Sequence, residues 1–126
     1  MRKGKQIMNT ERPSFSFQHV GVNCNDREEA VKVVTLLSSL FGLEARTEKK
    51  GSPFAGSGIE AMAGKGPGLH GHLAFYTPDM DQAIRYFEER GIAIDYDSAK
   101  RTEDGNIYVI YLKDEIAGFA IQLINK

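Results

Sequence analysis

The sequence predicts an α+β fold made of two tandem βαβββ modules, with both helices on one side of the strands. Three observations predict it. "FQHVGVNCNDREEA" (Phe17 to Ala30) and "GHLAFYTPDMDQA" (Gly71 to Ala83) repeat one pattern at an offset of 53, which sets His19 over His72, Asp26 over Asp79 and Ala30 over Ala83 without a gap. At an offset of 62, "GSGIEAM" (Gly56 to Met62) lies over "GFAIQLI" (Gly118 to Ile124), so that Ile59 meets Ile121 and Glu60 meets Gln122. Between each helix and each final strand there is room for two more short strands.

Taken in order, residues 1–13 read as a polar, mobile tail, and not as a secretory signal, because the basic residues there have no apolar stretch behind them. Module one covers 14–63. Its first strand starts at Phe17, and Asp26 with Glu29 has the spacing of a capping box. Ala30, Val33, Val34 and Leu37 form one apolar stripe, and Gly42 suits a left-handed C-cap. Short strands are expected near Glu44–Glu48 and Ser52–Ala55, with "KKG" between, and a fourth strand through Ile59. The glycine-rich "AGKGPGLHG" reads as a linker, since it lacks the spacing of a phosphate-binding loop. Module two covers 71–126. It repeats the plan with Asp79 and Gln82 as the cap, Ala83, Ile84 and Phe87 as the stripe, and Gly91 as the stop. Strands follow near Ala93–Tyr96 and at Ile107–Leu112, joined by "EDGN", and then at Phe119–Ile124.

The 126 residues suffice for one domain, and 41% hydrophobic with 26% charged is the balance of a globular chain. Sixteen basic against seventeen acidic residues give no footprint for nucleic acid. No apolar run reaches the length of a bilayer span, and the single cysteine, Cys24, fits a reducing cytoplasm. Cys24 reads as a small core residue, and His70, in the linker, as a hydrogen-bonded structural residue or a merely solvated one.

Strand alternation places the functional candidates. Phe17, His19, Gly21 and Asn23 share one face of the first strand; Gly58, Glu60 and Met62 share one face of the fourth; His72, Ala74 and Tyr76 share one of the fifth. On the last strand Ala120, Gln122 and Ile124 go together. The opposite sets suit packing under a helix. His19, Glu60, His72 and Gln122 therefore point to the uncovered side, each among small or apolar neighbours. Phe17, Asn23, Met62 and Tyr76 are the expected pocket lining.

Paired modules opening on "HVGV" and "GHLAF", with these four polar positions, resemble the vicinal oxygen chelate superfamily, which includes glyoxalase I, methylmalonyl-CoA epimerase, extradiol dioxygenases and the bleomycin resistance proteins. The resemblance covers nearly the whole chain after Phe15. "FAGSGIEAM" and "YLKDEIAGFAIQLINK" are most similar to a C-terminal extension of some keto-deoxy-phosphogluconate and keto-hydroxyglutarate aldolases, although no aldolase barrel fits in this chain. The superfamily implies a curved half-barrel sheet, a divalent ion inside it (Zn, Ni, Co or Mn), and homodimers. His19, Glu60, His72 and Gln122 match its metal-ligand positions. The last-strand ligand is usually glutamate, and Gln122 departs from that. A neutral amide can ligate but cannot accept a proton, which counts against glyoxalase I, dioxygenase and fosfomycin-type chemistry and leaves Glu60 as the expected base. The expectation is a metal-dependent, glyoxalase-like lyase or isomerase acting on a small oxygenated or keto-acid metabolite. The alternatives are a metal-free binding protein of the bleomycin-resistance type, with no cofactor, and an accessory domain of an aldolase.

Overall fold

The computed structural model describes residues 10–47 and 51–126. The first module contributes β1 (Ser16–Asn23), α1 (Arg27–Phe41), β2 (Ala45–Arg46), β3 (Phe54–Ala55) and β4 (Ile59–Met62). The second contributes β5 (Gly71–Tyr76), α2 (Met80–Glu89), β6 (Ile94–Arg101), β7 (Ile107–Leu112) and β8 (Phe119–Ile124). All eight strands form one open mixed sheet in the order β2-β3-β4-β1-β5-β8-β7-β6. Within each module the first and last strands pair in parallel, β1 with β4 and β5 with β8. The antiparallel β1–β5 pair is the seam that joins the halves within one chain. This is the α+β fold of two βαβββ modules expected of the repeat, in an open sheet consistent with a curved half-barrel.

Each helix begins where a carboxylate meets an orphan N–H. Asp26 Oδ1 accepts from the Glu29 amide at 2.8 Å, and Asp79 Oδ1 from the Gln82 amide at 3.0 Å. The return half of the capping box does not form. Glu29 reaches one residue too far back, to the Asn25 amide at 2.6 Å, and Gln82 donates instead to the Glu11 carbonyl. Gly42, at φ 73°, ends α1 and donates to the Ser38 carbonyl. The apolar stripes produce two cores on the same side of the sheet. Ala30 and Val34 of α1 pack with Cys24, Ala55 and Ala61; Met80, Ala83 and Ile84 of α2 pack with Ile94, Ile110 and Leu123. Burial of the larger of these side chains stabilises the fold by about 1.5–3 kcal/mol apiece. Cys24 is buried, and burial with the nearby Glu29 and Asp26 charges pushes its thiol up, so it is an inert core residue.

Three departures from simple alternation matter for the site. β1 carries a bulge between Phe17 and His19, where two residues oppose one on β5. β6 is longer than expected because Tyr96–Ala99 loop out of the pairing between Asp95 and Lys100. Ser98 plugs that bulge, its hydroxyl accepting from the Tyr111 amide and donating to the Asp95 carbonyl. At the β7–β8 hairpin, Ala117 (φ 54°) and Gly118 (φ 82°) are both left-handed, as a two-residue turn of this hand requires. Of the expected tail, residues 1–9 lie outside the described residues. Thr10 is tied to α2, its amide and hydroxyl both donating to the Glu89 carboxylate at 2.9 Å. Part of the expected Glu44–Glu48 strand and of the "KKG" turn also falls outside them.

Candidate metal centre

Sheet register explains how four polar side chains from four strands meet. One cross-strand row reads Phe54, Glu60, Gly21, His72, Ala120; the adjacent row reads His19, Ala74, Gln122, Tyr111, Asp95. Paired residues share a face, so both rows look to the side away from the helices. In each row the position at the seam between two polar residues is small, Gly21 or Ala74. Long side chains from β4 and β5, two strands and roughly 10 Å apart, can therefore lean together over Gly21. A Cβ on Gly21 would sit 2.1 Å from His72 Cε1 and 2.4 Å from its Nδ1. The imidazole occupies the place of the missing side chain.

The result is a triangle of donor atoms. His19 Nε2, His72 Nε2 and Glu60 Oε1 are each 3.3 Å from the other two. Both imidazoles are buried, His19 at 7% and His72 at 2% exposure, so these are polar groups withdrawn from water. Burial alone would raise the Glu60 pKa. Contact with the His19 and His72 imidazoles outweighs it and holds the carboxyl at about 2. Glu60 is therefore an anion facing two nitrogen donors.

This donor set fits a divalent ion. A tetrahedral ion capping a triangle of that edge stands about 2.0 Å from each corner, the usual Zn–N and Zn–O distance. One further atom favours an occupant. Gln122 Nε2 donates to the Tyr111 hydroxyl at 3.0 Å, which leaves Gln122 Oε1 buried with no hydrogen-bond partner among the described residues. A cation is the occupant such an oxygen accepts without a proton. His72 Nδ1, on the other side of the ring from the triangle, is buried with no partner among the described residues.

The triangle opens onto a cavity of about 530 Å³ lined by Glu60, Met62, His72 and Gln122, and also by Asp95, Lys100 and Tyr111. That volume suits a small-molecule ligand. His19, Glu60 and His72 are brought together as the repeat predicts, and Gln122 joins them at the cavity wall. Met62 lines the cavity. Phe17 does not. The bulge after it turns it to the helix side, where it pairs with Phe75 at 5.6 Å between ring centroids. Asn23 is spent on the linker, accepting from the Gly66 amide and donating to the Gly68 carbonyl, both at 3.0 Å. Tyr76 shares the face but pairs with Ser16 and Ile124, beyond the cavity wall. Tyr111, Ser98, Lys100 and Asp95 were not legible as site residues. Tyr111 stands directly opposite Gln122, but β7 reads "IYVIYL", with a second tyrosine at Tyr108, so its place in the strand did not single it out.

Comparison with solved structures supplies the fold's relatives. Methylmalonyl-CoA epimerase from Mycobacterium tuberculosis superposes with a TM-score of 0.62, 17% identity, and coverage of 98% of this chain and 95% of that one. Its fold is shared by this chain. A hypothetical protein of Bacillus halodurans C-125 gives the same TM-score and identity over 90% and 95% of the two chains. A methylmalonyl-CoA epimerase in complex with methylmalonyl-CoA and NH4+ gives 0.57 at 20% identity over 87% and 93%. At 17–20% identity, these neighbours show a shared fold. No family model and no curated protein matches the chain, and the likeness to an aldolase extension finds no support in these comparisons. Among the described residues, no helix is long and apolar enough to cross a membrane.

Proposed function

We propose that this chain is a metal-dependent enzyme of the glyoxalase-like class, acting as a lyase or isomerase on a small oxygenated, keto-acid or acyl metabolite. The observation that carries the reading is the 3.3 Å triangle of two imidazole nitrogens and one carboxylate oxygen at the cavity floor. His19, His72 and Glu60 would hold the ion, with Gln122 Oε1 as a weaker fourth donor. Bound there, a divalent ion supplies Lewis acidity to a carbonyl that gains negative charge as a neighbouring proton leaves.

The chain's own groups do the rest. Burial pushes the Tyr111 hydroxyl up, against the hydrogen bond from Gln122, so Tyr111 keeps its proton at neutral pH. That proton has no acceptor among the described residues and is free for a ligand oxygen in the cavity. Glu60, bound between two imidazoles, serves as a ligand; to act as the base expected from the sequence it would have to leave them. Asp95 lines the same cavity, and its carboxylate has no hydrogen-bond or ion partner among the described residues. It is the better-placed proton acceptor. A homodimer belongs to this reading as a proposal, and so does a coenzyme A thioester substrate like those bound in the epimerase structures.

The rival reading, a metal-free binding protein, is favoured by one feature, the neutral Gln122 where a carboxylate would hold an ion more firmly. Metal content of gently purified, untagged protein separates the two. Near-stoichiometric Zn, Ni, Co or Mn in the parent, lost in His72→Ala, is expected. Solvent deuterium exchange next to the carbonyl of dicarbonyl, keto-acid and methylmalonyl-CoA probes would then report the chemistry. A parent that stays empty when metal is supplied ends the enzyme reading.

A further inference from the structure

We infer that Gln18 is a positioning residue of the metal centre: it holds the His19 imidazole with Nε2 presented bare to the ion. The inference rests on the metal-binding reading above and adds a residue to it. Gln18 Oε1 lies 2.8 Å from His19 Nδ1, and Gln18 Nε2 donates to the Lys126 carbonyl at 3.1 Å. The second contact settles the first. A carbonyl can only accept, so the amide nitrogen faces Lys126 and the amide oxygen faces the ring. Two acceptors cannot share a hydrogen bond, so His19 Nδ1 carries the proton. The remaining nitrogen, Nε2, is the atom 3.3 Å from both His72 Nε2 and Glu60 Oε1.

This contact exists because of the β1 bulge. In a regular strand, successive side chains leave on opposite faces, and residue 18 could not reach the ring of residue 19. The bulge between Phe17 and His19 inserts one residue in β1 and rotates the chain locally, placing Gln18 alongside the imidazole. The second module has nothing equivalent. The residue before His72 is Gly71, and His72 Nδ1 has no partner among the described residues. His72 is instead held by packing over Gly21. The two histidines of the repeat are thus oriented by different means, one by a hydrogen bond from outside the ligand set and one by shape.

Zn2+ affinity, measured by competition with a chromogenic chelator, tests this with Gln18→Met and Gln18→Glu. Methionine keeps the length and removes the acceptor; glutamate keeps the acceptor. Loss of an outer hydrogen bond of this kind typically weakens metal binding 10–100-fold, so Gln18→Met should fall in that range with the melting temperature of the metal-free protein unchanged. Gln18→Glu should bind at least as tightly as the parent. In the Zn2+-loaded parent, the His19 Nδ1–H proton should give a slowly exchanging NMR resonance. A Gln18→Met affinity within twofold of the parent, or equal losses in both variants, overturns the inference. If Gln18→Met fails to fold, the NMR signal decides: an Nδ1–H exchanging as fast as an exposed imidazole overturns it. A parent that takes up none of Zn2+, Ni2+, Co2+ and Mn2+ overturns both this and the enzyme reading, whereas a Zn2+-binding parent indifferent to Gln18 overturns this alone.

Discussion

Gly21→Ala is the substitution whose effect follows most directly from the geometry. Gly21 lies in the middle of β1 and is not among the left-handed residues, so an alanine there meets no backbone objection. The objection comes from the His72 ring, whose Cε1, Nδ1 and Nε2 stand 2.1, 2.4 and 2.7 Å from the position of the new methyl. Ordinary carbon–carbon contact is about 3.5–4.0 Å, so the ring has to retreat by more than about 1 Å. His72 is fully enclosed and cannot swing out freely. Overpacking of this kind costs about 1–3 kcal/mol. A donor displaced by more than about 0.5 Å no longer meets the tolerance of a binding site, so the variant should also lose most of its metal affinity. Chemical denaturation of Gly21→Ala, His72→Ala and the double variant isolates the contact. Once the imidazole is gone, Gly21→Ala should be neutral or slightly stabilising, because alanine constrains the unfolded chain more than glycine does. An equal loss from Gly21→Ala in both backgrounds, or unchanged metal affinity in the single variant, would refute the reasoning.

Other outcomes follow from single features. Because an ion binding only the native state raises its stability, Zn2+ at 100 times its Kd should add about 2.7 kcal/mol; the melting temperature should rise with Zn2+, fall back with chelator, and respond to neither in His72→Ala. Asp26→Ala and Asp79→Ala each remove a cap and should cost about 1 kcal/mol by denaturant titration. A cost near zero would mean that the helix starts are held by packing alone. Ala117 adopts a left-handed conformation that favours asparagine or glycine, so Ala117→Asn should stabilise the protein by about 0.5–1 kcal/mol. A lowered melting temperature there would place the strain elsewhere in the hairpin.

How much of this was legible before the fold depends on which rule governs each residue. Both helix starts could be read because a cap is a local event, between a carboxylate and an amide three residues on. The cluster of His19, Glu60 and His72 could be read because the repeat sets His19 over His72 and Glu60 over Gln122 on matching strands, and parallel pairing within each module preserves that match. Phe17 was misassigned by the same alternation that placed His19 correctly. A bulge shifts the count by one, and "SFQHV" gives no sign of it. Asn23 was assigned to the right face, but the linker amides took its side chain first. The cavity's outer wall was hidden for another reason. Ser98 and Lys100 reach it only because β6 loops out after Asp95 and runs on to Arg101, and the polar "DYDSAKR" has no alternation to announce a strand.

The seam between β1 and β5 gives the candidate metal centre one further property. Of its four donors, His19 and Glu60 come from the first half of the chain and His72 and Gln122 from the second. Each half is therefore a two-pronged arm, and neither holds enough donors to grip an ion alone. An ion at the centre would tie the arms together as a bivalent linker does, adding to the strand pairing that already joins them. The same dependence runs in reverse. Any event that loosens β1 from β5 also opens the ion's cage, so occupancy of the site would report whether the two halves of the protein are correctly docked.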